Sequence, residues 1–247
     1  MKIIPIPVLD DNYSYLVIDE KTNEVDPVEP SKILPVIEDN KVKLKHLITT
    51  HHHHDHSGGN KEMVKLVKGL TVYGSDERIP ELNHPVKNEE EFKIGEKIQC
   101  KALFTPCHTS GSVSFYVQDG DDKAVFTGDT LFIGGCGKFF EGTAEQMYNS
   151  LIKTLGVLPS DTKVYCGHEY TTSNLRFAKS IDPNNKTLLE KYEWAAQNKI
   201  TVPSTIGDEF KFNPFMRVEH EDMKKVAGGQ DPIEIMKKLR EMKNEFK

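Results

Sequence analysis

The sequence predicts an α/β domain followed by a small helical domain. Three observations lead there. From Met1 to about His168, short β-rich runs alternate with turns and a few helices. Beyond Glu169 strand signals nearly vanish and helical patterns take over. The 247 residues give room for one ordinary domain with a small one attached.

The N-terminal run KIIPIPV reads as the first strand rather than a secretory signal, because it is short, Pro-broken and followed by acids. Tyr13 to Ile18, Leu44 to Thr49, Thr71 to Tyr73, Ile98 to Phe104, Ser112 to Val117, Ala124 to Thr127 and Lys163 to Cys166 are the further predicted strands. Ser31 to Asp39 and Gly59 to Lys68 read as helices between them. Thr143 to Leu155 carries the clearest helical stripe: Ala144, Met147, Tyr148, Leu151, Ile152 and Leu155 share one face. Thr143 and Gln146 have the spacing of a capping box. In the last third, Thr172 to Ser180, Lys186 to Gln197 and Asp231 to Phe246 are predicted helices, with a short turn of helix at Thr205 to Phe210. Pro183, Pro203, Pro214 and Gly228-Gly229 separate them.

Composition narrows the function. Hydrophobic residues at 37% with 28% charged residues indicate a packed globular chain rather than a disordered one. The net charge of −6 argues against a general nucleic-acid binder. No apolar run reaches the roughly 18 residues of a membrane span. Cys100, Cys107, Cys136 and Cys166 are scattered with no CxxC, which predicts reduced thiols in a cytoplasmic setting.

The most informative stretch is Thr49 to Gly59, TTHHHHDHSGG, between a predicted strand and a predicted helix. His51 and His53 alternate, so an extended turn points both to one side, while Asp55 and His56 follow as the chain bends into the helix. Imidazole with carboxylate suits zinc, and also iron or manganese. Three further strand ends carry a His or Asp beside Gly, Ser or Thr: His108 in TPCHTSG, Asp129 in TGDT and His168 in CGHE. No GxSxG elbow is present, so hydrolysis would have to use water.

With these segments in place the chain resembles the metallo-β-lactamase fold superfamily, whose mark is the HxHxDH loop, here His51, His53, Asp55 and His56. Within it, TTHHHHDHSGGN, TPCHTSG, VFTGDTLF, GCGKFFEGT, VYCGHEYT and FNPFMR are similar, in order, to segments of the glyoxalase II (hydroxyacylglutathione hydrolase) family. The resemblance implies an αββα sandwich with a C-terminal α-helical domain. Residues 1–169 would form the metal-binding catalytic domain and residues 170–247 the glutathione-binding one. It implies two divalent ions, zinc or else iron or manganese. His51, His53 and His108 would hold the first, Asp55, His56 and His168 the second. Asp129 would bridge them, having two oxygens to share. His52, His54, His46, His84 and His220 are not ligands in this pattern. The implied reaction is hydrolysis of S-D-lactoylglutathione and other S-2-hydroxyacylglutathiones to glutathione and D-lactate, the second step of methylglyoxal detoxification. A metal-bridging hydroxide would attack, with Asp55 and Asp129 as the catalytic carboxylates.

The family's glutathione contacts map onto Lys138, Phe140, Tyr170, Arg240 and Lys243. The cations would pair with the glycyl carboxylate, and Arg240→Ala is expected to raise KM with little change in kcat. The implied partner is a small glutathione thioester, with no nucleic acid, no membrane and a monomeric chain. Two departures stand out. Phe140 replaces a usual Tyr, removing one hydroxyl. The segment Asp19 to Pro27 is about three apolar residues short, which predicts a stunted second strand or a tightened turn and touches Asp26, expected near the metals. The rival readings are another reaction on the same fold, such as a mono-iron persulfide dioxygenase, a lactamase or a nuclease, and a binding module without turnover.

Overall fold

The computed structural model describes residues 1–19, 22–25 and 29–246. It divides into two compact units. The first comprises residues 1–104 and 111–128, the second residues 105–110 and 129–247.

The first unit contains β1 (Lys2–Val8), β2 (Asn12–Asp19), β3 (Thr22–Val25), α1 (Pro30–Asp39), β4 (Lys43–Ile48), α2 (His54–Ser57), α3 (Asn60–Leu66), β5 (Thr71–Gly74), β6 (His84–Pro85), β7 (Glu91–Ile94), β8 (Ile98–Phe104), β9 (Val113–Asp119) and β10 (Asp122–Gly128). Its first sheet runs in the order β1 to β6. β1, β2 and β3 pair antiparallel, and β3 to β6 pair parallel. β1 is the edge strand, which is why it tolerates Pro5 and Pro7. β2 is buried along all eight residues, so it reads as a nearly continuous apolar run rather than an alternating one. α1 connects β3 to the parallel β4. Ile33 and Ile37 of α1 and Met63 of α3 pack with Leu16, Leu44, Leu47 and Val72 of the sheet in one core.

The second sheet of this unit has the order β10-β9-β8-β7, antiparallel throughout. Rings join the two sheets: Tyr15 lies 5.4 Å from Phe126, and Tyr73 stacks on Phe92 at 4.2 Å. Asp19 Oδ2 accepts from the Glu96 and Lys97 amides at 2.6 and 3.2 Å. β3 has four residues against eight in β2, and Asp19 pairs directly with Thr22. Asp26 lies outside the described residues.

The second unit contains β11 (Leu131–Phe132), β12 (Gly135–Cys136), α4 (Ala144–Tyr148), β13 (Lys163–Cys166), α5 (Thr171–Ile181), α6 (Lys186–Ala195), β14 (Ser204–Thr205), α7 (Ile206–Phe212), α8 (Glu221–Ala227) and α9 (Pro232–Glu245). The capping box forms: Thr143 Oγ1 accepts from Gln146 N, and Gln146 returns a bond to Thr143 N. The predicted single helix nevertheless changes pitch, continuing from Asn149 to Leu155 as wider π turns. Ser150, Leu151, Ile152 and Leu155 are all buried there, a broader face than a 3.6-residue stripe presents. α8 escapes the sequence reading because only Met223 and Ala227 of its seven residues are buried. Its ends are well marked, by the His220 cap and by Gly228 in the left-handed region at φ 68°. Among the described residues no helix is long and apolar enough to cross a membrane.

Candidate metal centre and substrate residues

In the first unit, the HxHxDH segment leaves the carboxyl end of β4, where open α/β sheets present ligand-binding loops. His53 is extended, at φ −56° and ψ 144°, and His54 to Ser57 then form one helical turn. The extended-then-helical reading of the loop matches this geometry. His51 Nε2 stands 3.1 Å from His53 Nδ1, and His56 Nε2 stands 3.6 Å from Asp55 Oδ2. His51 and His56 are buried at 1% exposure each. Thr50 Oγ1 meets His51 Nδ1 at 3.2 Å, and Asn12 Nδ2 donates to Asp55 O and Oδ2 at 3.2 and 3.1 Å.

In the second unit, His108, Asp129 and His168 converge. Asp129 Oδ2 is 3.4 Å from His108 Nε2 and 3.3 Å from His168 Nε2. The same oxygen faces both rings. His108 Nδ1 is held by the Lys138 carbonyl at 3.1 Å, which leaves Nε2 as the outward nitrogen.

These spacings test whether a metal fits. Two donors on one tetrahedral ion at about 2.0–2.2 Å stand about 3.3–3.6 Å apart. A charge-assisted hydrogen bond would be about 2.7–2.9 Å. The carboxylate–imidazole separations in both units match the first and exceed the second. Groups of His and Asp side chains that could hold a divalent ion are therefore present among the described residues. The cysteines do not compete for this role. All four are buried, and burial pushes the Cys107, Cys136 and Cys166 thiols up to about 12, about 11 and about 12.

The predicted substrate residues all lie in the second unit, in unequal settings. Lys138, Phe140 and Arg240 line one cavity of about 640 Å³, with Thr143, Ile233 and Lys237. Lys138 Nζ lies 6.0 Å from the Phe140 ring, which is 62% exposed. Arg240 is buried, and its Nη1 donates to the Cys136 carbonyl at 2.9 Å. Tyr170 and Lys243 do not line that cavity. Tyr170 stacks on His168 at 4.6 Å. Lys243 donates to the Ser173 carbonyl at 3.1 Å and lies over the Phe177 and Phe246 rings. Burial, reinforced by Arg240 and Arg176, draws its ammonium down to about 8.

Comparison with known proteins decides the family. Residues 13–168 match the metallo-beta-lactamase superfamily, and residues 169–246 match the hydroxyacylglutathione hydrolase C-terminus. The chain is 47% identical to the cytoplasmic hydroxyacylglutathione hydrolase of Arabidopsis thaliana, over all of both chains. The chain belongs to the hydroxyacylglutathione hydrolase family. It is 48% identical to the hydroxyacylglutathione hydrolase-like protein of Gallus gallus, over 100% of this chain and 91% of that one. The crystal structure of ETHE1 from Myxococcus xanthus superposes with a TM-score of 0.70 at 27% identity, covering 97% of this chain and 90% of that one. The chain thus has the metallo-β-lactamase fold with a C-terminal helical domain, in a family of hydrolases.

Several side-chain partners around the HxHxDH segment are invisible in a sequence read without the fold. Asn12 precedes Asp55 by 43 positions, and nothing local marks it. Asp76 sits 3.4 Å from His52 and is clasped by Arg78 at 2.7 Å. Burial pushes the Asp76 carboxyl up, but the hydrogen bonds and charge of Arg78 outweigh it and hold the pKa low. His46, His84 and His220 keep structural surroundings: His46 and His84 pack on Tyr73, and His220 caps α8.

Proposed function

We propose that the chain hydrolyses S-D-lactoylglutathione, and related S-2-hydroxyacylglutathiones, to glutathione and D-lactate, as a cytoplasmic monomer in methylglyoxal detoxification. The observation that carries this reading is the position of Asp129, whose single Oδ2 serves two imidazoles brought from different loops. In the proposed assignment, His51, His53 and His108 would hold one divalent ion and Asp55, His56 and His168 a second, with Asp129 as a ligand that would serve both. Zinc suits these donors, as do iron and manganese. Such a pair of ions lowers the pKa of water toward neutrality and stabilises developing oxyanion charge.

The chain's own groups do the rest. Asn12 Nδ2 donates to Asp55 O and Oδ2 and so limits the rotation of a carboxylate that would hold an ion. The His108 tautomer is set by the Lys138 carbonyl. The leaving thiolate of glutathione has a pKa near that of cysteine, about 8.5, so it needs little help from an acid. Lys138, Arg240 and Lys243 supply cations for the peptide carboxylates, and Tyr170 supplies a hydroxyl; residues 170–247 thus act mainly as grip, residues 1–169 as chemistry. Arg240 does more than bind, because its bond to Cys136 O ties it to the loop leading to Lys138. Phe140 contributes a face and no hydroxyl.

The match of residues 169–246 to the hydrolase C-terminus supports this reading over a mono-iron persulfide dioxygenase. The experiment is hydrolysis of S-D-lactoylglutathione by purified protein with its metal counted. Turnover with about two ions per chain, abolished by a chelator and restored by zinc, is expected. One iron per chain with oxygen consumption on glutathione persulfide would overturn it.

A further inference from the structure

The segment from Asp129 to Lys138 joins a proposed bridging ligand to a proposed substrate cation, yet it contains only two-residue strands. Its backbone is held instead by side chains from the helical part of the second unit. Glu209 of α7 accepts from Gly134 N at 2.9 Å. Asn213, just after α7, donates to Phe132 O at 3.2 Å, to Gly135 O at 3.0 Å and to Glu209 Oε2 at 2.9 Å. Asn174 of α5 donates to Ile133 O at 3.2 Å, and Arg240 of α9 to Cys136 O at 2.9 Å. Glu209 and Asn213 have no exposed surface, and Asn174 and Arg240 are 5% and 6% exposed. A fully buried carboxylate on an amide N–H is a costly arrangement that bulk packing alone does not require.

The clamped backbone ends at a tight seat. A Cβ on Gly137 would lie 1.9 Å from Asp129 O and 3.0 Å from His108 Nδ1. One residue further, the Lys138 carbonyl meets His108 Nδ1. A shift of this backbone by even half an ångström therefore moves the His108 acceptor and the Lys138 side chain together.

We propose that Glu209 and Asn213 are positioning residues: they set the register of the Asp129–Lys138 segment and through it the aim of His108 and the placement of Lys138. The inference rests on the reading of His108, Asp129 and Lys138 as site residues given above.

The test is zinc affinity, by competition with a chromophoric chelator, beside KM and kcat for S-D-lactoylglutathione. Glu209→Ala and Asn213→Ala are expected to lose about 10- to 100-fold in zinc affinity and to raise KM. Glu209→Gln keeps an oxygen for Gly134 N and Asn213, and should stay near the parent in both. Arg217→Met breaks a buried ion pair to Asp182 in the same unit that does not touch the segment; it should lower Tm but leave zinc affinity and KM unchanged. If the alanine variants do not fold, Asn174→Ala, which removes one bond to Ile133 O, should show a smaller shift in the same direction. Alanine variants that lower Tm yet bind zinc and substrate like Arg217→Met would overturn the proposal while leaving the hydrolase reading intact. A parent protein that neither binds zinc nor hydrolyses the thioester would overturn both.

Discussion

The segments His51–His56 and Asp129–Lys138 carry donors in opposite ways. The first packs its metal-type donors into six residues and shapes them with local backbone: an extended step at His53, then one helical turn. The second offers one carboxylate, Asp129, and depends on residues up to 104 positions away to fix its course. Where donors are dense, geometry is nearly a property of the peptide. Where they are sparse, geometry is a property of the surrounding scaffold, and it fails when that scaffold is cut.

The largest effect should come from the point where the sparse segment meets its imidazoles. Asp129→Ala should lower kcat by at least about 1,000-fold and reduce bound metal, as read by turnover and metal analysis of the same sample. Retained turnover after this change would break the proposed assignment.

Next in size is a pH effect on stability from the scaffold side. Burial raises the Glu209 carboxyl to about 7 from 4.5. Between these values the folded chain keeps a proton that the unfolded chain has lost, so stability falls as pH rises from about 4.5 to 7. Glu209→Gln removes this term. Its denaturation free energy should gain on the parent by up to about 3 kcal/mol across that window, and stay level above it. A constant gap at pH 4.5 and pH 7 would refute the assignment of the buried charge.

A smaller effect belongs to substrate binding. With the Lys243 ammonium drawn down to about 8, its charge is lost above that pH. KM should therefore rise several-fold, roughly, between pH 8 and 9.5, and Lys243→Arg should flatten the rise because a guanidinium keeps its charge.

The smallest change is expected at the dense segment's non-ligand position. His52 is 18% exposed, and its Nδ1 stands 3.4 Å from Asp76 Oδ2. His52→Ala should keep metal content, hold kcat within about threefold and cost about 1 kcal/mol of stability through the lost contact. A His53→Ala comparison sharpens the contrast, since the neighbouring histidine should lose metal and activity together.

Much of the fold was legible because its signals are local. The first strand, the Tyr13 to Ile18 strand, the Thr143 capping box and the last helix all follow from spacing and residue type. The π turns after Tyr148 were not legible, because a wide buried face and a normal helical face share the same i, i+3, i+4 positions. The proposed donors lie in motifs at strand ends that the sequence itself displays. Their supports do not. Asn12, Glu209 and Asn174 are ordinary polar residues whose roles depend on partners far along the chain.

The sequence by itself determined which residues offer lone pairs and cations: the HxHxDH run, His108, Asp129, His168, Lys138, Arg240 and Lys243. Residue chemistry is written in the side chains, and full-length similarity to hydroxyacylglutathione hydrolases follows from the same string. Tertiary structure decided how those groups are used. It turned one oxygen of Asp129 to two imidazoles and committed Arg240 Nη1 to the Cys136 carbonyl. It also lowered the Lys243 ammonium and raised the Glu209 carboxyl. The reason is that orientation and protonation depend on burial and on neighbours, and both are supplied by contacts between residues distant in the chain.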